Sequence, residues 1–468
     1  MLLIAALAAV LSGGSGSESA VSPKTPNADR VTSPNALAAL VARARVPSFS
    51  RQTKLPCGAC HYGFPQLTPF GRTFKLNGYT MTGLTAITSQ ADSASRLSLS
   101  LSPIAPISVM AIASATSVAT AIPGTLGTTT QFPQQLSLFA ATAISDKMGI
   151  FSQITYTDQS GTIGIDNTDL RFATHTTIGD RDVLLGLTLN NNPTVQDVWN
   201  TSPAWGYPFI GSAVAPTPAA STLIEGGLAQ SVLGIGAYTL ISNSLYAEVS
   251  GYVSAPQGAK LPLDSSATNT VHAISPYWRI ALQHDFESDY LMVGTFGLYS
   301  EIFPTGVIGA TNQYTDIGFD AQLEHKLSKG ALIGRASYIH ENQNLAASFT
   351  ASPVASQNVS NSLNSYKLNF SYVPNTTHSL TVGAFGSSGT SDNVLYAPSA
   401  VTGSSTGSPA SQGEIVELAV NPWLNVRLGA QYVIYQKFNG ASSSYDVKAS
   451  GRNASDNNAL YVYLWLVY

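Results

Sequence analysis

Both cysteines of this 468-residue chain fall in one stretch, LPCGACHYGFPQLTPF, which begins at Leu55. Two thiols separated by two residues can form a redox pair, as in thioredoxin-like motifs. The imidazole of His61, directly after Cys60, gives the spacing another use. Cys-x-x-Cys-His is the attachment signature of a c-type haem: the thiols add to the two vinyl groups and the histidine supplies the proximal ligand to iron. An export-like start, the lack of any other cysteine and the aromatic surroundings favour haem over the redox pair. Cys57 and Cys60 are therefore read as covalent anchors for one haem c, and His61 as an iron ligand.

The flanking residues must position these groups. In FPQLTPFGRTFKLNGYTM, Thr68 is a good helix N-cap, Pro69 suits the first helical position and Asn77-Gly78 closes the helix. Phe70 and Phe74, four apart, share a face that can pack on a porphyrin. Arg72 and Lys75 are expected to point away from it, toward a haem propionate or a docking partner. The seven histidines include no other in this head, and of the five methionines Met81 alone follows the motif inside it. Met81 is the expected distal ligand, with water or a lumen-facing side chain such as His175 as the alternative. Upstream, a short helix is expected from Asn35 to a break at Pro47. Residues 1–20, opening MLLIAALAAVLSGG, read as a secretory signal.

Only 10% of the residues are charged while 44% are hydrophobic, against about 25% charged in a soluble domain. Recurring aromatic and β-branched residues argue against disorder. No internal run approaches the roughly 20 apolar residues of a spanning helix. Residues 21–90 carry eight basic residues and one acid, whereas the rest from Ala91 has a net charge of −10. A basic head is joined to an acidic body.

That body, residues 91–468, has the two-residue period of strands. YKLNFSY sets Tyr366, Leu368, Phe370 and Tyr372 against Lys367, Asn369 and Ser371. In the last segment Leu460, Val462, Leu464, Leu466 and Tyr468 are expected to face lipid, with Tyr461, Tyr463 and Trp465 inward. About sixteen strands are expected, opening near 96–115, 131–147 and 148–159 and closing with 413–425, 426–438 and 458–468. Tight turns such as Gly179-Asp180, Asn243 and Glu287-Ser288 alternate mostly with long links such as 193–225, 256–271 and 439–457. Short turns alternating with longer loops mark an outer-membrane β-barrel, closed because lipid cannot satisfy a free strand edge. The fold class expected is mostly β: a sixteen-stranded antiparallel transmembrane barrel with a small α-helical haem domain (residues 21–90) as its plug. The opposite charges of head and body supply a motive for plugging, with Asp169, Asp320, Glu324 and Glu417 as candidate lumen partners.

A short Cys-x-x-Cys-His head ahead of sixteen strands resembles the outer-membrane cytochrome–porin fusions, whose best-known members are iron oxidases. The resemblance rests on RVPSFSRQTKLPCGACHYGFPQLTPFGRTFKLNGY and on NNNPTVQDVWNTSPAWGYPF at 190–209. It implies an electron-transfer oxidoreductase that takes electrons from extracellular Fe(II) and passes them through one haem to a periplasmic cytochrome. No nucleic-acid partner is expected. The 190–209 loop, with Asp197, Trp199 and Trp205, would fold inward as a donor site or serve as an ordinary constriction loop. The alternatives are a porin with the haem head as gate or sensor, and a head that only anchors or aids assembly.

Overall fold

The computed structural model describes residues 47–468 apart from 82–83, 85–87, 92–96, 101–105, 158–160, 257, 261–262, 264–268, 305–307, 376 and 448–450, and at 88–91 and 97–100 the backbone only. The signal segment and the helix expected from Asn35 lie outside these residues. From Ala44 to Tyr468 the chain forms one compact unit.

Sixteen strands close into a barrel: β1 (Ile107–Val118), β2 (Thr128–Ala143), β3 (Met148–Thr157), β4 (Thr162–Ile178), β5 (Arg181–Asn190), β6 (Val232–Ile241), β7 (Leu245–Ser254), β8 (Ser275–Phe286), β9 (Asp289–Ile302), β10 (Asn312–Lys326), β11 (Ala331–Asn344), β12 (Ser360–Asn375), β13 (His378–Gly389), β14 (Ser411–Trp423), β15 (Val426–Lys437) and β16 (Ala459–Val467). Each pairs antiparallel with its sequence neighbours. β16 returns to β1 with Trp465 opposite Ile112 and Ala459 opposite Val118. Strand one starts at Ile107 rather than near 96. Pro106, just before it, lacks the N–H that a ladder needs, and residues 97–100 pair instead with 88–91. Strand six starts at Val232 rather than 226, because Leu223–Gly227 forms a short π-helical turn with Gly226 at φ 105°.

The two-residue period sorts side chains by face. On β12, Leu368 and Phe370 are 56% and 47% exposed, whereas Asn369 and Ser371 between them are buried. On β16, Leu460 and Val462 point out and Tyr461, Tyr463 and Trp465 point in. An apolar outside around a polar, charged inside is the reverse of a water-soluble sandwich and suits a barrel wall in lipid. Seven tight turns gather at one end. The β6–β7 turn takes the mirror-image form that hairpins favour, with Ser242 and Asn243 at φ 49° and 53°. The long links 191–231, 255–274, 345–359, 390–410 and 438–458 gather at the other end.

The lumen holds part of the chain itself. The head enters it from the short-turn end as three short helices, α1 (Ser48–Thr53), α2 (Cys57–Cys60) and α3 (Pro69–Leu76). Ser48 donates to Ala141 on β2 and Arg51 to the Ile107 carbonyl on β1. The 191–231 link turns inward and packs on the head. Inward side chains at several levels are consequently closed off from solvent, among them Tyr252, Arg279, Glu324, Gln431 and Tyr461, each no more than 1% exposed.

Candidate functional site

Helix α2 is a single turn that carries Cys57 and Cys60. It stops because His61 adopts an extended conformation, its N–H donating to the Cys57 carbonyl. Helix α3 locks against it. Thr68 caps α3 by accepting from Gly71 N at 3.1 Å, while its hydroxyl donates to the Ala59 carbonyl at 2.6 Å. A Cβ on Gly71 would lie 2.2 Å from the Cys60 carbonyl oxygen, so only glycine lets the two helices approach this closely. A glycine inside a helix costs about 1 kcal/mol against alanine. That cost was the signal in TPFGRTF that could have marked Gly71 as a packing residue.

Cys57, Cys60 and His61 open onto a cavity of about 530 Å³ at the short-turn end. Its volume falls in the range of cofactor pockets, roughly 300–1,000 Å³. Aromatic side chains dominate its wall, including Phe49, Phe74, Phe151, Trp205 and Trp465. Its mouth is formed by Thr377 and residues 421–425 of the β12–β13 and β14–β15 turns, where Trp423 and Leu424 are exposed. His61 Nδ1 is buried with no hydrogen-bond partner. Burial lowers the imidazole pKa to about 4, so the ring is neutral at physiological pH, the form that binds metals. Neither thiol is bridged. Burial, with a smaller contribution from Cys57, raises the Cys60 pKa to about 11. A redox-active pair needs the opposite shift, toward thiolate. Two thiols, a ready imidazole and a large apolar space together fit a covalently attached haem.

The two cations of α3 have different partners. Arg72 is buried against the barrel wall, 2.5 Å from Glu324 on β10, which also accepts from Tyr62 OH at 3.1 Å. It does not line the cavity. Lys75 does line it. Its Nζ donates to the carbonyls of Val195 and Asp197 at 2.7 and 2.8 Å and sits 4.8 Å from the Trp205 ring centre. Burial, and then Arg171, lower its pKa to about 7. The expectation that both cations point outward is corrected: Lys75 borders the cavity, and Arg72 faces away from the cavity but is buried against the barrel wall rather than exposed. Of the four candidate lumen carboxylates only Glu324 pairs with a head cation. Asp169 accepts from Tyr79 OH of the head at 2.8 Å, but its ion pair is with Arg171 on its own strand. Asp320 pairs with Arg279 and Glu417 with Arg427.

The aromatic pair also divides. Phe74 is buried and lines the cavity; Phe70 is 39% exposed and does not. Helical side chains lean toward the N-terminus, and Phe70 sits in the first turn with no helix beneath it. Met81 follows α3 without lining the cavity. His175 shares the inward parity of Asp169, Arg171 and Ala173 on β4, but it is exposed and does not line the cavity, with Nε2 2.9 Å from Asn77 Oδ1 of the head. In the inward loop, Asp197 is consumed by structure. Its carboxylate accepts from the backbone N–H groups of Trp199, Thr201 and Ser202 and lies 3.5 Å from Arg279. Trp199 donates to Tyr290 OH at 2.6 Å. Trp205 donates to the Val195 carbonyl and, with Asp197, borders the cavity. Among the described residues no group of three or more His, Cys, Asp or Glu side chains is placed to hold a metal ion.

Fold and site define a barrel of outer-membrane type, filled by its own head and one inward loop. No family model matches the chain, and no curated protein matches it. Among solved structures it is similar to Salmonella typhi OmpF, solved in complex with daunomycin, at 10% identity and TM-score 0.45, covering 77% of this chain and 97% of that one. It is similar to an anion-selective porin from Comamonas acidovorans at 12% identity and TM-score 0.43, covering 77% and 98%. It is also similar to OmpT of Vibrio cholerae at 9% identity and TM-score 0.43, covering 77% and 98%. The likeness is one of barrel architecture alone.

Proposed function

We propose that the protein is an electron-transfer protein of the bacterial outer membrane. Its head carries one covalent haem c at the periplasmic end of a plugged barrel. Electrons pass from an extracellular donor, Fe(II), to a periplasmic cytochrome. The observation that carries this reading is the apolar cavity in which both thiols and an imidazole with a free Nδ1 meet. A haem bound there would supply a one-electron couple between ferric and ferrous iron.

The chain's own residues then have defined tasks. Cys57 and Cys60 anchor the ring and the neutral His61 imidazole holds its iron. The aromatic walls keep water away. The Lys75 ammonium, buried at the wall without a carboxylate partner, balances a propionate, since a buried charge is stable only when paired. The Arg72–Glu324 pair fastens the head to the wall. Holding the haem inside the barrel shortens a route that would otherwise cross an apolar band about 25 Å tall. The exposed Trp423 and Leu424 at the mouth give a periplasmic partner an apolar place to dock.

Stopped-flow mixing of the oxidised, detergent-purified protein with Fe(II), across pH, tests the donor. Rapid haem reduction is expected. Reduction by another donor but not by Fe(II) would remove the iron assignment and keep the conduit. Large, steady single-channel conductance of the haem-loaded protein would instead favour a porin gated by its head. Electron transfer unaffected by replacement of His61 would leave the head as an anchor only.

A further inference from the structure

A haem held in this cavity by His61 would leave a second position at its iron to another group. Histidine and methionine are the usual protein ligands of c-type iron. The seven histidines and five methionines are all described except Met1. Of these only His61 lines the cavity. Met81 leaves the head after α3 and does not reach the space. Met110 on β1 packs in the same cluster as Phe139 and Trp465. Those two rings line the cavity and Met110 does not. The other histidines are engaged elsewhere. His272 and His325 face Glu301 and Asp289, His340 lies against Asn364 and His378 against Asn375. His284 meets Phe286 edge-on, and His175 meets Asn77. The cavity meanwhile opens through the 421–425 turn at the short-turn end.

We infer that His61 is the sole histidine or methionine ligand available to the haem, so that the cavity is a binding site for small exogenous iron ligands, neutral diatomic gases first among them, entering from the periplasmic mouth. This inference rests on the haem reading proposed above and adds to it. It replaces Met81 as distal ligand by an accessible position. It also implies a lower potential than histidine–methionine ligation would give, because a methionine ligand raises it.

The test is carbon monoxide added to the dithionite-reduced, detergent-purified full-length protein, followed in the visible spectrum. The expected result is a ferrous spectrum that shifts completely on CO addition, with Met81→Leu and Met110→Leu proteins giving the same spectra, CO response and potential. A coloured protein whose ferrous spectrum ignores CO overturns the inference while leaving the haem reading intact. If Met81→Leu or Met110→Leu then restores CO binding, that methionine is the ligand. A colourless protein overturns the haem reading, and this inference with it.

Discussion

Two regions meet along helix α3 and differ in the kind of partner their groups have. On the wall side, charges find charges: Arg72 with Glu324, and Arg279 with Asp320 and Asp197. On the cavity side, two thiols, an imidazole nitrogen without a hydrogen bond and a lysine without a carboxylate border an apolar space. The paired region explains itself as a fastening. Of the cavity-side groups, His61 Nδ1 is the buried polar atom left without a hydrogen bond, and buried polar atoms are stable only with partners. On the haem reading proposed above, the contrast places the haem on the cavity side.

The contrast is broken most completely at the thiols. Replacing Cys57 and Cys60 by serine should abolish covalent haem and all visible colour, while the barrel still folds, as read by circular dichroism. On the fastening side, Glu324→Gln leaves Arg72 buried without a counter-charge. Breaking one partner of such a pair costs about 3–5 kcal/mol. The head should become sensitive to added protease, and Arg72→Leu combined with Glu324→Leu should recover much of the loss. A smaller effect is expected at the contact between helices. Gly71→Ala forces a Cβ against the Cys60 carbonyl, an overpacking cost of about 1–3 kcal/mol. Haem content per barrel should fall without loss of the barrel.

A pH effect sharpens the cavity side. Burial holds the His61 pKa at about 4, below its ordinary 6.5. Between these values the undocked head binds the proton and the docked head does not. In the protein lacking both thiols, protection of the head from protease should therefore hold above pH 6.5 and fall progressively from 6.5 toward 4. Equal protection at pH 7 and pH 4.5 would contradict this.

Much of the wall was legible because one force shapes it. Lipid outside and polar filling inside impose a period of two, and the strands lie close to their expected positions wherever that period is unbroken. The exceptions have local causes. Pro106 stands just before the first strand, and the turn at Leu223–Gly227 delays the sixth. In the head, the Thr68-Pro69 start and Asn77-Gly78 stop of α3 were legible because capping is local chemistry. The partners of its side chains were not. Arg72 and Lys75 look alike in sequence, and only the position of Glu324, some 250 residues away, separates their roles. Phe70 was misplaced because the four-residue rule ignores which turn a residue occupies. Asp197 invited a donor role, but in the folded chain its carboxylate is spent on three backbone N–H groups.

The most direct test of the central claim is the intact mass of the purified full-length protein, with peptide mapping across residues 55–66. One haem added to a peptide containing both Cys57 and Cys60 is the predicted result. An unmodified peptide, with the two sulfurs free or joined to each other, would contradict the account.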